Sequence, residues 1–165
     1  YFPFTASLMR NPVLSFSVLI GVVSLTVYNW INRFDSLEDY LYLPVERKDL
    51  LRGKHLSFIV MALPLTFSLL LISFYIYPPS MLNAVLSVFT AFTTQIFTLG
   101  LTSRLTGLKP NTRLFNTRIF LKYLILNSIL VLPLLALSVF FAPGLWHIYV
   151  AILLVALVAG VVLAR

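Results

Sequence analysis

NRFDSLEDYLYLPVERKDLLRGK, residues 32–54, is the one stretch of this chain in which acid and base occur together. It holds every acidic side chain: Asp35, Glu38, Asp39, Glu46 and Asp49. Arg33, Arg47, Lys48, Arg52 and Lys54 balance them, so the stretch sums to zero charge. On either side lies an apolar run of about 20 residues, the length of helix that crosses about 30 Å of hydrocarbon. A short charged segment between two such runs reads as a loop between membrane helices. It is also where a membrane protein meets something soluble, a docking surface rather than a catalytic site.

Working outward, the chain is 60% hydrophobic and 10% charged over 165 residues. Soluble domains carry roughly 25% charged residues, which excludes an ordinary water-soluble fold. The spans read as residues 13–31, 55–77, 81–103, 119–141 and 145–164, an all-α polytopic bundle forming one membrane domain. Pro64 and Pro133 fall inside spans, where neighbouring helices make proline tolerable. Residues 78–80 (Pro-Pro-Ser) and 142–144 (Ala-Pro-Gly) read as short uncharged turns, and residues 104–118 as a second charged loop. Gly53 is expected to let the chain bend into the second span. The chain has no cysteine, which excludes disulfides and thiolate metal sites.

The formal charge of +7 does not mark a nucleic-acid binder, because it sits beside spans. With residues 32–54 inside, all of the 12 Lys and Arg except Arg10 are cytoplasmic, the ordinary asymmetry of a plasma-membrane protein. Lys122 belongs to that side if its stem snorkels. The N-terminus is then outside and the C-terminus cytoplasmic.

Within the charged stretch the local chemistry specifies helix. Asp35 or Ser36 can cap it, with Glu38 or Asp39 at capping-box spacing. Leu37 and Leu41 share a face with Tyr40 beside them. Leu43-Pro44 breaks it, and Pro44 can open a second turn with Glu46 and Asp49 early and Arg52 and Lys54 late, as the helix dipole favours. An amphipathic helix lying on the membrane is the plainer reading, but the balanced charge speaks against it.

The run from Leu43 to Lys54, LPVERKDLLRGK, resembles the cytoplasmic loop of ABC transporter permeases of the type 2 exporter class. There a Leu-Pro, a basic residue (Arg47 here), a short helix and a Gly-Lys (Gly53-Lys54) lead into the next span; Glu46 departs from the more usual Ser. The stretch from Thr106 to Asn116 is similar to a loop of prokaryotic, especially archaeal, members. The resemblance implies a permease fragment lacking the first of six spans, and a second copy to form a dimer. It also implies that residues 35–51 form a coupling helix seated in a separate ATPase subunit, which holds the ATP and magnesium. Asp35, Leu37, Glu38, Tyr40, Leu41, Leu43, Pro44, Glu46, Arg47, Gly53 and Lys54 are then the partner-binding residues. This chain is expected to be a transport subunit without catalytic residues, cofactor or metal of its own.

The third span carries hydroxyls at Thr90, Thr94, Thr98 and Thr102, spaced by four on one face, with Gln95 beside them. They read either as packing between helices or as the lining of a substrate path. Ala156, Gly160 and Ala164 repeat at small-xxx-small spacing, which calls for close helix contact. His55 and His147 have no carboxylate or second histidine nearby and carry no site. Asp35 and Asp39 resemble half of a magnesium–diphosphate motif of membrane prenyltransferases, but Ile31 stands where a third aspartate is needed, and no other loop is acidic. Phosphate-binding loops are absent. A membrane scaffold without transport activity is the remaining alternative.

Overall fold

The computed structural model describes residues 11–31, 44, 46–107, 116–139 and 145–164. Among them are six helices: α1 (Pro12–Val23), α2 (Leu25–Ile31), α3 (Arg47–Ile76), α4 (Met81–Thr106), α5 (Thr117–Val139) and α6 (Trp146–Ala164). Taken together, α1 and α2 make one crossing, so five segments are long and apolar enough to span a membrane. The described residues include no strand.

The helix ends follow from local sequence. Asn11 accepts from the Leu14 N–H at 3.5 Å, and Pro12 occupies the first helical position, where its missing donor costs nothing. Ser80 caps α4 in the same way, accepting from the Asn83 N–H at 3.4 Å. Gly107, at φ 61°, ends α4 in the left-handed region that glycine alone enters cheaply. Its helix therefore reaches three residues beyond the span expected to end at residue 103.

Two expectations about the charged stretch need correction. Pro44 opens no helix: α3 begins at Arg47, behind Glu46 in extended backbone at φ −67° and ψ 144°. Residues 47–51 are thus the first turns of the second span itself, not part of a separate short helix. Gly53 makes no bend either, since α3 passes unbroken through it, and a Cβ there would meet nothing. The hydrogen-bond ladder of a long helix outweighs the conformational freedom of one glycine, which costs only about 1 kcal/mol relative to alanine. Residues 35, 37, 38, 40, 41 and 43, the expected coupling helix, lie outside the described residues.

The first span holds a feature its apolar sequence concealed. It breaks at Ser24, whose hydroxyl donates to the Gly21 carbonyl at 2.6 Å. A serine that bonds its own backbone competes with the helix ladder and bends it.

At the centre stands α4, 67% buried over its apolar window, against 22% for each of α3, α5 and α6. Gly21 of α1 lies against Thr94, so close that a Cβ there would collide with the Thr94 hydroxyl. On another flank Gly160 of α6 meets Phe97, and Gly100 meets the Gly160 carbonyl. Lipid tails are as apolar as leucine, so such backbone approach, not a hydrophobic drive, holds membrane helices together. Near the start of α1, Ser15 and Ser138 join α1 to α5 at 2.8 Å. Thr90 and Tyr149 join α4 to α6 at 3.0 Å.

Candidate functional site

The charged stretch enters the bundle at the end where α3 begins. Pro44 and Glu46 are exposed, and Asp49 and Arg52 form an ion pair at 3.5 Å on an open surface. Such a pair contributes under about 1 kcal/mol and leaves both charges available to a partner. Lys54 behaves differently: only 7% of it is exposed. One turn further along, α2 and α3 are fastened by Tyr28, which is fully buried. The Tyr28 ring lies 6.3 Å from the His55 ring and meets Phe58 edge-on at 5.8 Å. Ala62 and Leu99 complete the cluster. An edge-to-face pair of this kind is worth about 0.5–1.5 kcal/mol beyond its packing.

The C-terminal third of the charged stretch forms the first turns of α3, which packs on α2 through Tyr28. Gly53 was expected to bend the chain and Lys54 to meet a partner, whereas the structure makes both part of one continuous helix with Lys54 buried. Lys54, Phe58, Ala62, Thr66 and Leu70, each four residues apart, share the buried face of α3.

Thr90, Thr94, Thr98 and Thr102 share one face, as their spacing requires, and each is at most 1% exposed. Each hydroxyl donates to the carbonyl four residues back, at 2.6 Å for Thr90, 2.8 Å for Thr94 and 2.7 Å for both Thr98 and Thr102. Thr106 extends the series at 2.6 Å. Thr90 also bonds the Tyr149 hydroxyl of α6 at 3.0 Å, and the Thr94 hydroxyl abuts Gly21 of α1, so the stripe meets neighbouring helices while bonding its own backbone. This arrangement supports packing for the stripe.

Gln95 stands apart from it. It is 4% exposed, and its side-chain Nε2 has no hydrogen-bond partner. It lies one turn from both Ala91, which packs with Ile20 and Leu70, and Leu99, which packs with Tyr28, Phe58 and Ala62, on a face of α4 whose neighbours come from α1, α2 and α3. Removing an unmet buried donor relieves its desolvation cost, so Gln95→Leu is expected to stabilise the folded protein by about 1–2 kcal/mol. Thermal unfolding in detergent checks this; a lower midpoint would mean that the amide is satisfied. Comparisons with known proteins place no relative beside this chain: no family model, curated protein or solved structure matches it.

Proposed function

We propose that this chain is the membrane-spanning permease subunit of an ATP-driven ABC-type exporter. It works as a pair of copies in the cell membrane and docks a separate cytoplasmic ATPase through residues 35–51. In this reading the charged loops and the C-terminus are cytoplasmic, and the N-terminus of this stretch of chain is outside. ATP and magnesium belong to the partner.

The observation that carries the reading is mechanical. Residues 47–54 of the acid- and base-bearing stretch are the first turns of α3, 30 residues long, so a force applied at that end acts on the whole rod. Tyr28 ties α2 to that rod, while Gly21 holds α1 against α4. The break at Ser24 lies between the two attachments. Closure of an ATPase pair on the loop would swing α3 and α2 together about Ser24, leaving α1, α4 and α6 in place. The resemblance of residues 43–54 to exporter loops supplies the class of partner.

Capture from the native membrane tests this. The detergent-solubilised protein is expected to bring down an ATPase subunit, and a Tyr40→Ala, Leu41→Ala double variant is expected to lose it. Truncating apolar anchors at the centre of an interface commonly costs about 2 kcal/mol or more each, whereas rim charges such as Glu46 matter less. The capture also reads orientation, because an ATPase reaches residues 32–54 only from the cytoplasm. Equal recovery from both proteins, or no ATPase from either, would remove the docking claim and leave a membrane scaffold.

A further inference from the structure

In the last turns of α3, Leu69, Ile72, Ser73 and Ile76 fall at i, i+3, i+4 and i+7, one stripe of a helix. Phe16 and Ile20, one turn apart on α1, face that stripe across a groove of about 130 Å³, with Tyr77 also on its wall. The groove therefore follows the helix axes for roughly 10 Å, from Leu69 to Ile76. Ile20 also packs with Leu70 and Ala91, so the groove backs onto the contact of α1 and α3 with α4. Its rim is open to whatever surrounds the bundle: Phe16 is 48% exposed, Ile72 55% and Ile76 59%.

One group on this wall does not suit an apolar lining. Ser73 is 7% exposed, and its Oγ has no hydrogen-bond partner among the described residues. Ser17, Thr90 and Thr98 return their hydroxyls to their own backbone, and Ser73 does not. Hydrocarbon offers an O–H nothing to bond, so a buried hydroxyl in this setting marks a place where a polar atom comes to meet it. Its depth says which atom. Residues 55–76 rise about 33 Å, enough to cross about 30 Å of hydrocarbon, so the last turn of α3 reaches the hydrocarbon edge. Ser73 stands one turn short of that edge, about 4.5 Å inside it. This is the level at which lipid chains join their headgroups, and in a diacyl lipid the joint is an ester.

We propose that the α1/α3 groove holds one acyl chain of a membrane lipid, with Ser73 Oγ donating to the ester carbonyl at the head of that chain. Complementarity argues for this occupant on two counts. A narrow groove parallel to the helices takes a chain that itself runs parallel to them, and a cavity of about 150 Å³ lined by Leu, Ile and Phe stays dry and accepts apolar guests. The unmet donor stands at the depth where such a chain carries its acceptor. A helix from a second copy is too wide for the groove, since with its side chains it measures about 10–12 Å across. The site requires only that the chain lie in a bilayer, and it stands apart from the permease reading.

Native mass spectrometry of the detergent-solubilised protein, titrated with dioleoylphosphatidylcholine, reads occupancy directly. A single saturable lipid adduct is expected. Ser73→Ala is expected to raise the half-saturating lipid concentration about two- to tenfold, the loss of one neutral hydrogen bond. Ile72→Trp, at an exposed position, covers the groove and is expected to abolish the saturable adduct while the protein stays folded. The ether-linked lipid of the same headgroup and chains has no carbonyl. It is expected to bind the native protein as weakly as the ester lipid binds Ser73→Ala, and this comparison needs no variant to fold. A ladder of adducts without saturation would show only the lipid that coats any membrane protein. A saturable adduct that survives Ile72→Trp would place the lipid elsewhere, and equal affinity for ester and ether lipids would show that Ser73 meets no carbonyl. Each of these three results overturns the proposal, and none bears on ATPase capture, which judges the permease reading separately.

Discussion

Replacing Gly160 with valine is expected to remove most of the folded protein from the membrane. A Cβ at position 160 would lie 2.7 Å from the Phe97 Cα and 2.8 Å from its nitrogen. Both are backbone atoms, so no side chain can turn away, and α4 and α6 must separate. Separation also carries Gly100 off the Gly160 carbonyl and pulls apart Thr90 and Tyr149. Overpacking of a close interface costs about 1–3 kcal/mol and more when only backbone can yield. Against a total stability of about 5–15 kcal/mol, and with the Thr90–Tyr149 hydrogen bond broken as well, that is a large fraction. The measurement is the yield of monodisperse protein in detergent and its thermal midpoint. Gly53→Ala is the matched control: a Cβ there meets nothing, and alanine in a helix interior should stabilise by about 0.5–1 kcal/mol. If the two variants behave alike, α4 and α6 do not pack backbone to backbone.

The second large effect is expected at Tyr28. Tyr28→Ala empties the centre of the cluster that binds α2 to α3, leaving Phe58 without its edge-on partner. In a soluble core the loss of an aromatic ring costs about 3–5 kcal/mol, part of it the transfer from water. That part vanishes in lipid, so roughly 1–3 kcal/mol remains, small enough for α1, α4 and α6 to stay assembled. The functional loss should be greater than the structural one. Without Tyr28, α3 moves without α2, and ATP hydrolysis by the captured complex is expected to fall to that of the ATPase alone. Tyr28→Phe keeps the ring and should preserve both stability and hydrolysis. Full hydrolysis by Tyr28→Ala in a folded complex would detach this cluster from the coupling mechanism.

Much of the architecture was legible without coordinates. Five crossings follow from run length, because a hydrocarbon slab of fixed thickness sets how many apolar residues a helix needs. Asn11 and Ser80 cap their helices by side-chain chemistry that acts within one turn. Close contact at Gly160 was readable from its spacing with Ala156 and Ala164. Thr90, Thr94, Thr98 and Thr102 announced a shared face, and their bonds to their own carbonyls are local as well.

What the sequence could not say is which face of each helix turns inward. In water, apolar periodicity names the buried side, but in lipid both sides are apolar, and the pattern falls silent. Only the tertiary packing decided that Gln95 is buried with its Nε2 unmet while Thr94, its neighbour, looks toward Gly21. The same holds for Lys54, whose charge reads as a surface group until the packed bundle buries it on the inward face of α3. The break at Ser24 also belongs to this class. Serines at 15, 17 and 24 all bond their own backbone. The helix parts only at Ser24, where α1 is held to α4 on one side and α2 to α3 on the other.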